Sequence, residues 1–251
     1  MTKMLKTDYS QVSKVYDKNK SRLSFPVDKD LEELLSRKEE VTVLDLACGS
    51  GNWLFCQQSY FKDTKIKWIG ADASSDMLKL ARDKNLKAEF IHSKTEDLNL
   101  KSKVDLIVCN FAFHHFENKS AALEKIFSFL NSDGIFKYRN VEPECMKDWW
   151  VYKYCPESWC EDLHRFWPKD LLCHELRKAG FSKINVKREY YESDKNIEEL
   201  YENYKRRDIS QLAMINDEDF QKGLKRIEVE IAGGIKEYKE IISFLDLRCL
   251  H

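Results

Sequence analysis

The chain has 251 residues, enough to bury one large core rather than two small ones. Its 42 Lys and Arg nearly balance 43 Asp and Glu and form no basic stripe, which argues against a long nucleic acid as partner. No apolar window is long enough to span a bilayer, and the first twenty residues lack the apolar centre of a signal peptide. Eight cysteines without a secretory signal then read as reduced thiols in a cytoplasmic protein.

In chain order, Tyr9, Val12, Val15 and Tyr16 recur at helical spacing within residues 7–23, and Ser24-Phe25-Pro26 ends that helix. A short helix over 28–37 leads into a dense β run, 41–46, which breaks at Gly49-Ser50-Gly51 before a helix reaching about Phe61. Residues 65–71 read as a second strand and 75–83 as a helix opened by its own capping serine. Residues 88–92 and 104–111 are two further buried-strand candidates. A helix over 119–130 stops at the Asn131-Ser132-Asp133-Gly134 turn, and strand 135–141 follows. Strand and helix alternating through short links predict an α/β fold, a mostly parallel sheet with helices on both faces.

From Val141 to Pro168 the chain is rich in Trp, Tyr and Cys and shows little periodicity. A helix over 169–179 closes at Gly180, and 183–191 reads as a strand. Amphipathic helices follow at about 195–207 and 217–232, the second carrying Phe220, Leu224, Ile227 and Ile231 on one face. Residues 241–249 read as a last strand at or near a sheet edge.

The strongest chemical signal is Val43-Leu44-Asp45-Leu46-Ala47-Cys48-Gly49-Ser50-Gly51-Asn52. It is a hydrophobic strand, an acidic residue, then two glycines where a helix begins, so backbone can approach a ligand without a Cβ in the way. A dinucleotide site wants a third glycine, which packs helix on strand beside the pyrophosphate. Leu54 stands at that position, and Asp45 is a poor neighbour for phosphate. A nucleoside bearing an amino acid fits better, because its ammonium group suits Asp45. Ile69-Gly70-Ala71-Asp72-Ala73-Ser74 ends a second strand in a carboxylate about twenty residues further on, where a ribose diol is held.

On these motifs the sequence resembles the class I methyltransferases that depend on S-adenosylmethionine (SAM), with a Rossmann-like seven-stranded sheet, over at least residues 40–140. The closest resemblance is to the small-molecule branch that includes ubiquinone/menaquinone C-methyltransferases. Residues 9–20 resemble the branch's N-terminal helix, 104–116 its fourth-strand motif, 130–134 its turn before strand five and 179–181 its turn before strand six. The resemblance implies SAM as cofactor and S-adenosylhomocysteine as product. It assigns Asp45, Gly49 and Gly51 to the methionine end, Asp72 to the ribose and Ser74 or Met77 to the adenine side, with Ala47 and Ala73 also among the cofactor-binding residues. Where the family often has an acidic residue against the adenine amine this chain has Lys94, leaving the Thr95 backbone and Glu96 as substitutes. Ala47 stands where the family's loop has its first glycine. Asn110 and Phe111 end strand four, where the substrate side begins.

His114, His115 and, from the N-terminal helix, Tyr16 are the catalytic candidates, histidine because it titrates near neutral pH. Trp149 and Trp150 head an aromatic cluster suited to walling an organic substrate, and Arg139, His164 and Arg165 suit a substrate carboxylate or phosphate. Cys145, Cys155, Cys160, His164, Cys173 and His174 include no paired chelating loop, so no metal is expected. The expected organisation is a single domain, with residues 1–30 a helical lid, 40–140 the SAM-binding core, 141–235 a cap and substrate region containing strand six, and 236–251 the last strand. The expected reaction is methyl transfer to a small organic molecule. Cyclisation, decarboxylation or SAM hydrolysis on the same fold is the alternative, and a nicotinamide-dependent oxidoreductase a further one.

Overall fold

The computed structural model describes Ser13, Tyr16, Asp17 and residues 23–62, 64–207 and 209–251. The expected N-terminal helix therefore lies largely outside the described residues, as does Tyr9; Ser13 and Tyr16 are helical. Chain contacts divide the molecule into two compact units. One, here the nucleotide unit, comprises Ser13–Asn140, Lys169–Lys187 and Asp246–His251. The described part of the other, the aromatic unit, comprises Val141–Pro168 and Arg188–Leu245. The helix at 169–179, expected within the cap, thus groups with the nucleotide unit.

The strands are β1 (Val41–Leu46), β2 (Ile66–Asp72), β3 (Ala88–His92), β4 (Val104–Asn110), β5 (Leu130–Val141), β6 (Lys183–Asn196) and β7 (Glu237–Leu250). They form one seven-stranded sheet in the order β3-β2-β1-β4-β5-β7-β6. The β3–β2, β2–β1, β1–β4 and β4–β5 pairs are parallel. β7 runs the other way: Glu142 donates to Ser243 and His251 to Gly134 on the β5 side, and Ser182 donates to Leu250 and Ile197 to Lys236 on the β6 side. The last strand thus lies one place in from the edge. Chain order reverses between β1 and β4, and the carboxyl ends of such a pair are where open α/β sheets hold their ligands.

In the nucleotide unit the helices are α1 (Lys29–Arg37), α2 (Asn52–Tyr60), α3 (Ser75–Asp83), α4 (Lys119–Phe129) and α7 (Lys169–Ala179). Asp28, Ser74 and Asn118 cap α1, α3 and α4, their side-chain oxygens accepting from first-turn amides. β4 is buried along six of its seven residues, as a parallel strand covered on both faces must be. Its one charged residue, Asp105, accepts from the Thr42 amide, Lys38 and Asn131. Leu31, Leu34, Val43, Trp53, Leu54, Trp68, Leu78, Leu106 and Ile135 pack into one core of this unit.

β5 begins at Leu130 rather than after a turn at 131–134. Leu130 pairs with Val104 and Ile135 with Leu106, so the Asn131–Gly134 turn chemistry is absorbed as a bulge within the ladder. β6 continues to Asn196, five residues past its expected end, because it is exposed along most of its length and carries no alternating pattern to mark its limits.

The aromatic unit holds α5 (Trp150–Tyr154), α6 (Pro156–Arg165), α8 (Ile197–Arg206), α9 (Ser210–Ala213) and α10 (Asp217–Ala232). The stretch read as aperiodic is therefore helical. Its first helix is five residues long with Trp150, Val151, Tyr152 and Tyr154 all buried, and the second, opened by Pro156, buries the polar Ser158, Asp162 and Arg165, so no apolar stripe marks its buried face. Trp150, Val151, Tyr152 and Tyr154 pack with Leu200, Tyr204, Leu212, Phe220 and Ile227 into a second core. α8 and α10 approach at Gly223, where a Cβ would come within 1.8 Å of the Tyr204 hydroxyl. No helix among the described residues is long and apolar enough to cross a membrane.

Candidate functional site

Asp45 is the penultimate residue of β1, and after Leu46 the chain turns sharply. Ala47, Gly49 and Gly51 all have left-handed backbone, with φ of 58°, 54° and 75°. Gly49 and Gly51 adopt it without strain, whereas Ala47 does so at a cost of about 1–3 kcal/mol. The first glycine of the resembled loop therefore falls on a backbone geometry that glycine favours. The turn satisfies its own amides: Cys48 donates to Ala71 and Gly51 to Cys48, while Gly49 donates to Asp72 Oδ2 at 2.7 Å. A Cβ on Gly49 would sit 3.2 Å from the Met77 methyl, so the glycine keeps open a narrow space facing α3.

Asp72, at the end of β2, accepts from Gly49 and, through Oδ1, from the Ser74 amide at 2.8 Å. Each of its oxygens keeps a further lone pair for a ligand hydroxyl. Asp45 is buried, and its Oδ2 has no hydrogen-bond partner among the described residues. Desolvation first, and the nearby Asp72 charge second, push its carboxyl up to about 8. Burial also raises Asp72, against the opposing effect of the Ser74 and Gly49 amides, the nearby His92 and the Ala73 amide. A buried carboxyl with an unused oxygen calls for a cationic hydrogen-bond donor. A pyrophosphate would add negative charge beside Asp72 and beside a carboxyl whose ionisation burial and Asp72 already oppose, which weighs against a dinucleotide. The ammonium and ribose hydroxyls of SAM meet both demands.

The remaining cofactor-side candidates line the ends of β2, β3 and β4. Ala73 is exposed and its carbonyl lies 3.0 Å from His92 Nε2. Thr95 is buried at the start of a 3-10 turn, and Glu96 accepts from the Asn118 amide at the start of α4. Lys94 turns away to an exposed ion pair with Glu117, so it does not replace the acidic adenine contact. Asn110 closes β4 opposite Arg139, and Phe111, with φ of 54°, is left-handed and partly exposed. Non-glycine residues in this conformation thus follow both β1 and β4, at the point where the sheet order reverses. Such strain gathers where a loop is shaped for a ligand.

His114 and His115 follow in a 3-10 turn, Phe113–His115, their ring centroids 3.9 Å apart. His114 is buried, its Nδ1 3.2 Å from the Asn140 amide nitrogen. His115 is half-buried. Arg139 makes a bidentate pair with Asp246. The other substrate candidates belong to the aromatic unit. Trp149 and Trp150 are buried in its core. His164 is exposed and bonds the Cys160 carbonyl one turn back. Arg165 is buried beside Asp162 at 3.6 Å and donates to the Met214 sulfur. Asp162 in turn accepts from Tyr152 and Gln211.

Four polar residues meet at the glycine turn, and the sequence alone assigned none of them a role. Asp17 Oδ1 accepts from Ser50 Oγ at 2.7 Å and Asn52 Nδ2 at 3.0 Å. Its Oδ2 accepts from Lys84 Nζ at 2.7 Å, and the same ammonium donates to the Ser50 carbonyl at 2.6 Å. The available signal was a polar residue between two glycines and an acidic residue next to Tyr16.

Residues 43–134 match the family model described as a methyltransferase domain. Over 214 residues the chain is 27% identical to the ubiquinone/menaquinone biosynthesis C-methyltransferase UbiE of Campylobacter jejuni, covering 71% of this chain and 89% of that protein. It is 27% identical to the malonyl-(acyl-carrier protein) O-methyltransferase of Acetivibrio thermocellus, over 54% of this chain and 48% of that one. Among solved structures, a candidate methyltransferase of an antibiotic biosynthesis pathway from Anabaena variabilis superimposes with a TM-score of 0.67 at 20% identity, covering 86% of this chain and 94% of that one. The plantazolicin methyltransferase BpumL, solved with S-adenosylhomocysteine, gives 0.59 at 14% identity, over 96% and 90%.

Proposed function

We propose that the chain is a class I, S-adenosylmethionine-dependent methyltransferase acting on a small molecule, and that the ends of β1, β2 and β4 hold the cofactor. The observation that carries this reading is Asp45, a buried carboxyl with an unused oxygen at the sheet's reversal point. In it, Asp45 takes the methionine ammonium and Asp72 the ribose diol. Gly49, Gly51 and Met77 shape the channel between them. Thr95 and Glu96 border the adenine, and Asn110 and Phe111 face the methyl group. SAM supplies an electrophilic methyl on a sulfonium.

What remains for the protein is to hold the acceptor in line behind that methyl and to keep water away, which is where most of the acceleration of such a displacement comes from. If the acceptor carries a proton, half-buried His115 is the group to remove it. Buried His114, fixed by Asn140, holds that ring from behind. A positioned base of this kind is worth about 10²–10⁴ in rate. The unpaired cysteines fit a reducing cytoplasm.

The test is transfer of label from methyl-tritiated SAM, with the protein incubated in the small-molecule fraction of a cell extract. Label in a low-molecular-weight product, lost in Asp72→Ala, supports the reading. Label that enters only protein or nucleic acid, added back as separate fractions, overturns the acceptor class.

A further inference from the structure

Ser50 lies between Gly49 and Gly51, the two residues whose left-handed backbone makes the turn. It is buried, and both of its polar ends are held from outside the turn. Its hydroxyl donates to Asp17, and its carbonyl accepts from Lys84. Lys84 and Asp17 are themselves paired at 2.7 Å, closing a ring of three hydrogen bonds around one residue. A fourth bond, from Asn52 to Asp17, adds the first residue of α2.

The three anchors come from distant parts of the chain. Lys84 follows α3, Ser50 follows β1, and Asp17 belongs to the N-terminal stretch that contains Tyr16. A two-glycine turn has many backbone states, and on its own it would lose much of its entropy when a ligand fixes it. Fixing the carbonyl of Ser50 sets the peptide plane it shares with Gly51, and fixing its hydroxyl sets its side chain. The loss is then met on folding, not on binding.

We propose that Asp17 and Lys84 are positioning residues that hold the glycine turn in its cofactor-binding shape through Ser50. The proposal rests on the SAM reading of this turn. Neither residue touches the cofactor in this account; both act through Ser50. Because they act through one residue as a ring, opening the ring at either place releases the same constraint. Their effects on binding should therefore overlap rather than add.

The experiment is calorimetric titration of S-adenosylhomocysteine into the full-length protein and into Asp17→Asn, Lys84→Met and the double variant. Thermal melts confirm folding, and Asp17→Glu tests rescue. Wild-type binding is the control for the SAM reading: if the wild type binds neither S-adenosylhomocysteine nor SAM, that reading fails, and this proposal with it. With wild-type binding in hand, each single variant is expected to weaken affinity about tenfold, the scale of lost charge-assisted hydrogen bonds. The double variant is expected to be no more than about twofold worse than the weaker single. In turnover the loss should appear in the KM for SAM, with kcat largely kept. Folded single variants that bind as well as wild type overturn the proposal. So do single losses that add fully in the double variant, since independent contacts and not a shared ring would then be at work.

Discussion

The unused oxygen of Asp45 leads to a prediction about protons. Burial and Asp72 push its carboxyl to about 8, from an ordinary value near 3.8. At neutral pH the cofactor-free protein therefore keeps Asp45 protonated, while the unfolded chain ionises it. Since the folded state binds the extra proton, stability must fall as pH rises from about 4 to about 8, at about 1.4 kcal/mol per unit. By about pH 7 the cost is about 4 kcal/mol as an upper bound, and Asp45→Asn should recover part of it. An ammonium group placed against Asp45 reverses the balance, since a neighbouring positive charge lowers a carboxyl by about 1–3 units. Binding of S-adenosylhomocysteine near pH 7 should then expel about 0.4–0.9 of a proton. Its affinity should rise about twofold to eightfold from about pH 6 to about pH 7. Titration calorimetry in phosphate and in Tris, whose ionisation heats differ, measures the proton directly. Equal heats in both buffers and a flat affinity would refute the assignment of Asp45 to the ammonium, and Asp45→Asn should show that flat behaviour.

Three further outcomes follow from named contacts. Asp72→Ala removes the acceptor of the Gly49 amide as well as the ribose contact, so affinity for S-adenosylhomocysteine should fall by about 1–3 kcal/mol in a protein that still melts cooperatively. Unchanged affinity would remove Asp72 from the site. Gly223→Ala forces a methyl into the Tyr204 ring, and chemical denaturation should show a loss of about 1–3 kcal/mol or more. A neutral effect would mean that the α8–α10 contact is looser than described. Trp150→Ala empties a buried site in the aromatic core and should cost about 3–5 kcal/mol in the same assay. A variant that melts like wild type while losing turnover would instead make this ring a substrate wall.

The parallel half of the fold was legible because its signals are local. Buried strands such as Val104–Asn110 read as continuous apolar runs, and Ser74 and Gly180 punctuate the helices where their chemistry says they should. The glycine turn was legible for the same reason, and Asp45 and Asp72 stand at the strand ends where their spacing put them. Other features depend on residues far apart in sequence. The Asn131–Gly134 turn became a bulge because β4 pairs on both sides of it. The 150–154 helix is one turn long and buried nearly all round, and the 156–165 helix buries polar residues, Ser158, Asp162 and Arg165, so no apolar periodicity betrayed them. The Asp17–Ser50–Lys84 ring joins positions 33 and 34 residues apart, and single-residue patterns cannot announce it.

The central claim is that the turn after β1 binds an amino-acid-bearing nucleoside and not a dinucleotide. Titration of the same protein preparation with S-adenosylhomocysteine and with NAD tests it most directly. The account predicts saturable, micromolar binding of S-adenosylhomocysteine, weakened by Asp72→Ala, and no measurable heat with NAD. Binding of NAD together with silence toward S-adenosylhomocysteine and SAM would contradict it.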